Sequence, residues 1–153
     1  MEKKSRTALF AGSFNPFTIG HARIVERALP LFDHIVIAIG VNPHKPQDEQ
    51  ALQQHKSLIE NYYKDVEEVS VATYSTLTTD FAQSIGAHWL LKGVRNAVDF
   101  EYEKQMADIN RQLTGVETVL LYAEEKYASI SSSMVRELQS FGHDVTPYLP
   151  KKS

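Results

Sequence analysis

The sequence predicts an α/β fold: a Rossmann-like open parallel five-stranded sheet with helices on both faces. Short apolar runs rich in β-branched residues alternate with longer stretches whose apolar residues recur at helical spacing. No internal repeat or low-complexity segment breaks the alternation, and Pro and Gly are scattered rather than gathered into a linker. The 153 residues, 42% of them apolar and 23% charged, match the composition of an ordinary globular chain. A single domain over residues 1–153 is expected, long enough to bury roughly 70% of its extended surface. Strand–helix alternation favours a parallel sheet, and right-handed crossovers then distribute helices over both faces.

The strands are read at Thr7 to Ala11, His34 to Gly40, Val69 to Thr73, His88 to Leu91 and Thr118 to Tyr122. Each is short and mostly apolar, as a strand covered on both faces should be. The first helix runs from near Gly20 toward Phe32, because Ala22, Val25, Leu29 and Phe32 share a face; Pro30 should kink or end its last turn. The second spans Glu49 to Tyr63, with Leu52, His55, Ile59 and Tyr62 in line. The third runs from Thr78 to Ile85 and stops at Gly86, a natural C-terminal cap. The fourth covers Val98 to Leu113, with Tyr102, Met106, Ile109 and Leu113 as its stripe and Gly115 after it. The fifth starts in a serine run and carries Val135, Leu138 and Phe141 before Gly142. Trp89, inside the fourth strand, reads as core.

Composition excludes several classes of function. Sixteen Lys and Arg against nineteen Asp and Glu give a net charge of −3, a poor match to a general nucleic-acid binder. The absence of Cys removes disulfides, thiolate metal sites and cysteine nucleophiles. No apolar run approaches the roughly 20 residues that cross a bilayer. The charged start, Met1 to Arg6, leads only into a short strand-like run and does not resemble a signal peptide. The expectation is a cytoplasmic protein with no membrane partner. His34, His55, His88 and His143 show no metal-ligand spacing and read as structural or solvated, and His44 is given no catalytic role.

In an open parallel sheet, ligands bind beyond the carboxyl ends of the strands. After the first strand stands Gly12-Ser13-Phe14-Asn15-Pro16-Phe17-Thr18-Ile19-Gly20-His21, a tight connection into a helix. Its glycine spacing fits neither a Walker loop nor the dinucleotide fingerprint. A helix start there offers free N–H groups to a phosphate, with His21 in the first turn. After the second strand, Lys45 lies between two prolines on a stiff loop. After the fourth comes Lys92-Gly93-Val94-Arg95, and after the fifth Tyr127-Ala128-Ser129-Ile130-Ser131-Ser132-Ser133 opens a helix. Serines at a helix start are commonly N-caps and also suit phosphate oxygens. An acidic chain that gathers Lys45, Lys92 and Arg95 on one sheet edge is suited to a phosphate-rich ligand. No covalent nucleophile with an adjacent base stands out, which favours direct transfer between two bound ligands.

Gly12-Ser13-Phe14-Asn15-Pro16 followed by Thr18-Ile19-Gly20-His21 resembles the signature of the HxGH nucleotidyltransferases in its TxGH form. Together with Lys92-Gly93-Val94-Arg95, Asp99-Phe100-Glu101-Tyr102-Glu103 and Ile130-Ser131-Ser132-Ser133, it resembles the bacterial phosphopantetheine adenylyltransferases over nearly the whole chain. The resemblance implies transfer of the adenylyl group of ATP to 4′-phosphopantetheine with Mg²⁺. The products are dephospho-coenzyme A and pyrophosphate, in the penultimate step of coenzyme A synthesis. It also implies a homohexamer built as a dimer of trimers, and feedback inhibition by coenzyme A.

Matched motif by motif, the resemblance assigns catalysis to His21, Lys45 and Ser13. His21 stabilises the transition state at the α-phosphate. Ser13 orients the attacking phosphate and touches ATP, with Phe14 beside it, and Lys45 bridges the phosphates of the two substrates. Lys92 holds the phosphopantetheine phosphate, and Thr78 contacts pantetheine through its backbone. Gly93, Val94, Arg95 and Glu103 line the ATP site, and Tyr127, Ala128, Ser129, Ile130, Ser131, Ser132 and Ser133 cover adenine and the terminal phosphates. This sequence departs from the family pattern at Ser13, usually Thr, at Asn15, commonly Asp, and at Lys92, often Arg. The last change turns a bidentate fork into a point charge. The Lys45 loop carries one Lys where relatives often have two. These departures are expected to tune affinity rather than abolish activity.

Competing readings are a nicotinamide or nicotinate mononucleotide adenylyltransferase, a cytidylyltransferase, and a non-catalytic nucleotide or coenzyme A sensor on the same fold. The mononucleotide enzymes usually carry His where Thr18 stands and lack the Asp99-to-Glu103 run. The presence of His21, Lys45 and Arg95 together argues against a dead enzyme.

Overall fold

The computed structural model describes residues 5–151. The charged residues 1–4 and the last two residues of the tail lie outside the described residues. The strands are β1 (Thr7–Gly12), β2 (His34–Gly40), β3 (Val69–Tyr74), β4 (Trp89–Val94) and β5 (Glu117–Tyr122). They form one sheet in the order β3-β2-β1-β4-β5, and every pairing is parallel. The α-helices are α1 (Ile19–Ala28), α2 (Glu49–Tyr62), α3 (Thr78–Ser84), α4 (Ala97–Thr114) and α5 (Ser132–Ser140).

Alternation along the central strands sorts the core into two layers. Ala8 and Phe10 of β1 join Ile35, Ile37 and Ile39 of β2 on one face, against Val25 and Ala28 of α1 and Ile59 of α2. Leu9 and Ala11 join Val36 and Ala38 on the other, against Ala82 of α3 with Phe81 and Ile85. Both faces are covered, which is why these strands read as unbroken apolar runs.

Several boundaries depart from the sequence reading. The first helix ends at Ala28, and Leu29–Leu31 continues as a 3₁₀ turn containing Pro30, so Phe32 is buried without being helical. The Pro ring removes the N–H that another α turn would require. Trp89 is only partly buried, packed 6.0 Å from Phe32 at the edge of the core. A further difference lies in β4. Lys92, Gly93 and Val94 are strand residues paired with Leu120, Leu121 and Tyr122, rather than a loop after the strand. At the far end of α4, Gly115 takes a φ of 78°, closing the helix in the left-handed conformation that glycine adopts without strain.

Strand order reverses between β1 and β4, so their C-terminal ends, Gly12 and Val94, diverge around a crevice. That switch point is where an open α/β sheet receives its ligand.

Candidate functional site

A cavity of about 320 Å³ opens at this crevice. Its walls come from Gly12, Ser13 and Phe14 after β1, His21 and Ile24 of α1, Lys92 and Gly93 of β4, Arg95, Glu103 of α4, and Tyr127, Ile130, Ser131 and Ser132 near the start of α5. Segments far apart in sequence converge because all of them leave or approach the same sheet edge.

His21 is the third residue of α1 and closes a capping box with Thr18. The Thr18 backbone N–H donates to His21 Nδ1 at 2.9 Å, and the His21 backbone N–H donates to Thr18 Oγ1 at 3.3 Å. In the usual box, Glu or Gln occupies the third position. With Nδ1 accepting, the neutral ring carries its proton on Nε2. The ring stacks on Phe17 at 5.3 Å and meets the edge of Phe14 at 5.0 Å and of Phe10 at 6.2 Å. Burial among these rings, helped by the positive charge of Arg95, lowers its pKa to about 4. His21 therefore presents a neutral Nε2–H donor at neutral pH. Thr18 is 1% exposed and belongs to this machinery, although the sequence reading gave it no role.

The loop before α1 is tightly fixed. Phe14 is buried with a φ of 46°, an uncommon conformation for a bulky residue. The Asn15–Pro16 peptide is cis. The Phe14 ring lies against Gly12, where a Cβ would come within 3.1 Å of it. Glycine is required again at position 93, where a Cβ would stand 3.0 Å from Ile24 Cγ1. Gly93→Val should overpack this contact and lower stability by about 1–3 kcal/mol. Urea denaturation measures it; an unchanged midpoint would show that Ile24 yields freely.

Charges at the mouth are partly paired. Lys92 Nζ lies 3.9 Å from Glu103 Oε2, and Arg95 Nε lies 3.3 Å from Asp99 Oδ2. Glu124 binds Arg23 Nε at 2.8 Å, tying the segment after β5 to α1. That ion pair holds the Glu124 carboxyl below the usual carboxylate range.

Of the residues singled out in the sequence, Ser13, Phe14, His21, Lys92, Gly93, Arg95, Glu103, Tyr127, Ile130, Ser131 and Ser132 line the cavity together. Val94 is buried in the sheet, and Ala128, Ser129 and Ser133 do not line the cavity, Ser129 and Ser133 being exposed. The serine hydroxyls have protein partners. Ser131 Oγ caps α5 through the Met134 N–H, Ser132 Oγ donates to the Pro16 carbonyl, and Ser133 Oγ accepts from Arg136. Lys45 is exposed on the loop after β2 and does not line the cavity. Thr78 lines a neighbouring cavity of about 250 Å³ with Leu77, Tyr102, Met106 and Ile109, and its hydroxyl meets Tyr74 Oη at 2.8 Å. Lys92 and Glu103 border both cavities. Thr18 and Gly20, of the same motif as His21, also line the first cavity, and Phe10, Ala11, Ile24 and Ala123 complete its wall; only their place near strand ends or on α1 could have signalled these last four.

No group of three or more His, Asp or Glu side chains that could hold a metal ion occurs among the described residues. No helix among them is long and apolar enough to cross a membrane.

A family model described as cytidylyltransferase-like matches residues 9–138. The chain is 50% identical over 148 residues to the phosphopantetheine adenylyltransferase of Porphyromonas gingivalis, covering 97% of this chain and 96% of that one. It is 44% identical over 146 residues to the enzyme of the same name from Bacteroides thetaiotaomicron, covering 95% and 96%. Against that of Flavobacterium johnsoniae it is 46% identical over 145 residues, covering 95% of each. Among solved structures it is similar to a bifunctional NMN adenylyltransferase/ADP ribose pyrophosphatase from Francisella tularensis, complexed with AMP and a Mn ion. The TM-score there is 0.69 at 14% identity, over 98% of this chain and 46% of that longer one. That likeness is one of fold.

Proposed function

This chain belongs to the phosphopantetheine adenylyltransferase family, and we propose from that premise how its site transfers the adenylyl group of ATP to 4′-phosphopantetheine, giving dephospho-coenzyme A and pyrophosphate. The observation that carries the site assignment is the pair of adjoining cavities that share Lys92 and Glu103. The first, with His21, Arg95 and the helix start at Thr18, suits a nucleotide phosphate chain. The second, walled by Leu77, Tyr102, Met106 and Ile109, suits a less polar pantetheine arm beside Thr78. Lys92 at their junction suits the phosphate that joins the two ligands.

In the reaction, an oxygen of the phosphopantetheine phosphate attacks the α-phosphorus of ATP in line. The bond from that phosphorus to the bridging oxygen of the β-phosphate breaks, and pyrophosphate leaves. The nucleophile is already anionic, so positioning and charge stabilisation supply the catalysis. His21 donates Nε2–H to the α-phosphate as its charge builds. Ser13 orients the attacking phosphate, Arg95 clamps the nucleotide phosphates, Gly93 lets the nucleotide approach the sheet edge, and Tyr127 to Ser133 close over the adenine side. Magnesium enters as part of the nucleotide substrate. Among the described residues the single carboxylate on the first cavity is Glu103, which faces Lys92, so a magnesium ion there would be held mainly by phosphate oxygens and water.

Lys45 acts from outside the cavity, on the loop that follows β2 at the same sheet edge. Lys45→Ala should lower kcat/KM by about 10- to 100-fold, the loss associated with a charge-assisted hydrogen bond. Initial rates under varied ATP and phosphopantetheine test this, and an unchanged value would remove Lys45 from the site.

A single nucleotidyltransferase domain over residues 1–153, a cytoplasmic location and a homohexamer belong to the same proposal. Helix α4 supports assembly: its 18 residues include none that is buried, and Val98 and Leu113 are 79% and 63% exposed. An apolar helix face left open in one chain calls for a partner. Coenzyme A, which contains the pantetheine arm, would compete for the same two cavities as a feedback inhibitor.

Pyrophosphate release with ATP and Mg²⁺ tests the reading, comparing 4′-phosphopantetheine with nicotinamide mononucleotide as acceptor. Release only with phosphopantetheine is expected. Release with the mononucleotide alone would overturn the roles of Lys92 and Thr78.

A further inference from the structure

Three consecutive carbonyls of the loop after β1 accept hydrogen bonds from three side chains. Phe14 O is held by His55 Nε2, Asn15 O by Arg136 Nη1, and Pro16 O by Ser132 Oγ at 2.8 Å. Arg136 and Ser132 come from α5, whose start already walls the cavity. His55 comes from α2, and its ring does not line that cavity.

The residue it holds sets the geometry of the site. Phe14 keeps a left-handed backbone at φ 46°, a conformation that persists only where its surroundings over-determine it. Its ring packs 5.1 Å from Phe10, 5.4 Å from Phe17 and 5.0 Å from His21, edge-on to the imidazole at 85°. A displacement of the Phe14 main chain would carry the ring away from His21 and shift Ser13, its neighbour in the chain. His55 itself stands half-buried on the apolar stripe of α2, between Leu52 and Ile59. A polar ring placed there needs a partner, and among the described residues the Phe14 carbonyl is the one it has.

We propose that His55 is a positioning residue for adenylyl transfer: through Nε2–H it fixes the Phe14 carbonyl, and through the Phe14 ring it fixes the imidazole of His21. The inference rests on the reaction proposed above. It assigns His55 no contact with either substrate, so its loss acts on the rate more than on binding.

His55→Gln and His55→Asn provide the test. Gln carries its amide donor about as far from the backbone as Nε2 of His, and Asn is too short to reach. His55→Asn should lower kcat by about 10- to 100-fold, the scale of an ångström-size misplacement, with both KM values within about 3-fold of wild type. His55→Gln should restore most of that rate. The ring-proton resonances of His21, shifted by the edge-on Phe14 ring, should move in His55→Asn and return toward wild type in His55→Gln. Those spectra need no substrate. If the wild-type protein fails to adenylylate phosphopantetheine, the proposed reaction falls while the spectra still decide the role of His55. Equal kcat in wild type and His55→Asn, unmoved His21 resonances, or equal impairment of the two variants would each overturn the inference. Thermal melts of both variants accompany the kinetics. If His55→Asn fails to fold, a His55→Gln protein with wild-type rate and spectra supports the inference, and one with an impaired rate overturns it.

Discussion

His21→Ala should lower kcat by about 10²–10³-fold, the usual loss when one donor to a developing charge is removed. Both KM values should stay within a few-fold of wild type. The expectation follows from the state of the ring. Its Nδ1 is committed to the Thr18 backbone N–H at 2.9 Å, so the group offered to the cavity is Nε2–H. Its pKa of about 4 keeps it neutral, so it gives up no proton and adds no full charge that would hold ground-state ATP. A neutral donor gains most when charge on the phosphoryl oxygens redistributes toward the transition state, which is where a kcat effect originates. His21→Gln, with an amide donor on a flexible chain, should recover part of the rate. Steady-state kinetics with each substrate varied provide the measurement. A loss confined to KM would make His21 a binding group, and an unchanged kcat would remove it from catalysis.

Much of this was legible in the sequence because the signals were local. The apolar runs of β1 and β2 fixed the two central strands to within a residue, and Gly86 and Gly115 marked helix ends through their own backbone freedom. The end of β4 was misread because Lys92 and Gly93 carry the chemistry of a loop. Their strand character comes from pairing with Leu120 and Leu121, which lie 28 positions further along the chain. Thr18 stands in the TxGH signature, but its capping role is hidden in the sequence because its partner is His rather than Glu or Gln. His55 escaped for a different reason. A lone His on an apolar stripe has a bland reading, and its partner, the Phe14 carbonyl, is 41 positions away. The residues gathered at the sheet edge could be anticipated from the rule that ligands bind at strand ends. That Lys45 stands outside the cavity wall could not, since that rule does not set the course of the loop after β2.

The buried state of His21 also has a thermodynamic signature. In the unfolded chain this imidazole takes up a proton near pH 6.5, and in the folded protein only near 4. Between those values the unfolded state binds more protons, so stability rises with pH across the interval and falls as the solution is acidified through it. The contribution is fully present above pH 6.5 and has gone below about 4. The gap corresponds to roughly 3 kcal/mol in total, of which roughly 2 kcal/mol should already be lost between pH 7 and pH 5. Glu124 and Asp144, also held below their ordinary carboxylate range, contribute mainly at lower pH and equally in a variant altered only at position 21. Urea denaturation of wild type and His21→Gln at pH 7 and pH 5 gives the comparison. The variant, with nothing to protonate at this position, should lose less stability than wild type by about that 2 kcal/mol. Equal losses in the two proteins would mean that the fold does not hold His21 neutral. The neutral-donor account of catalysis would then fall with it, because an imidazolium at the α-phosphate would bind the ground state through its full charge.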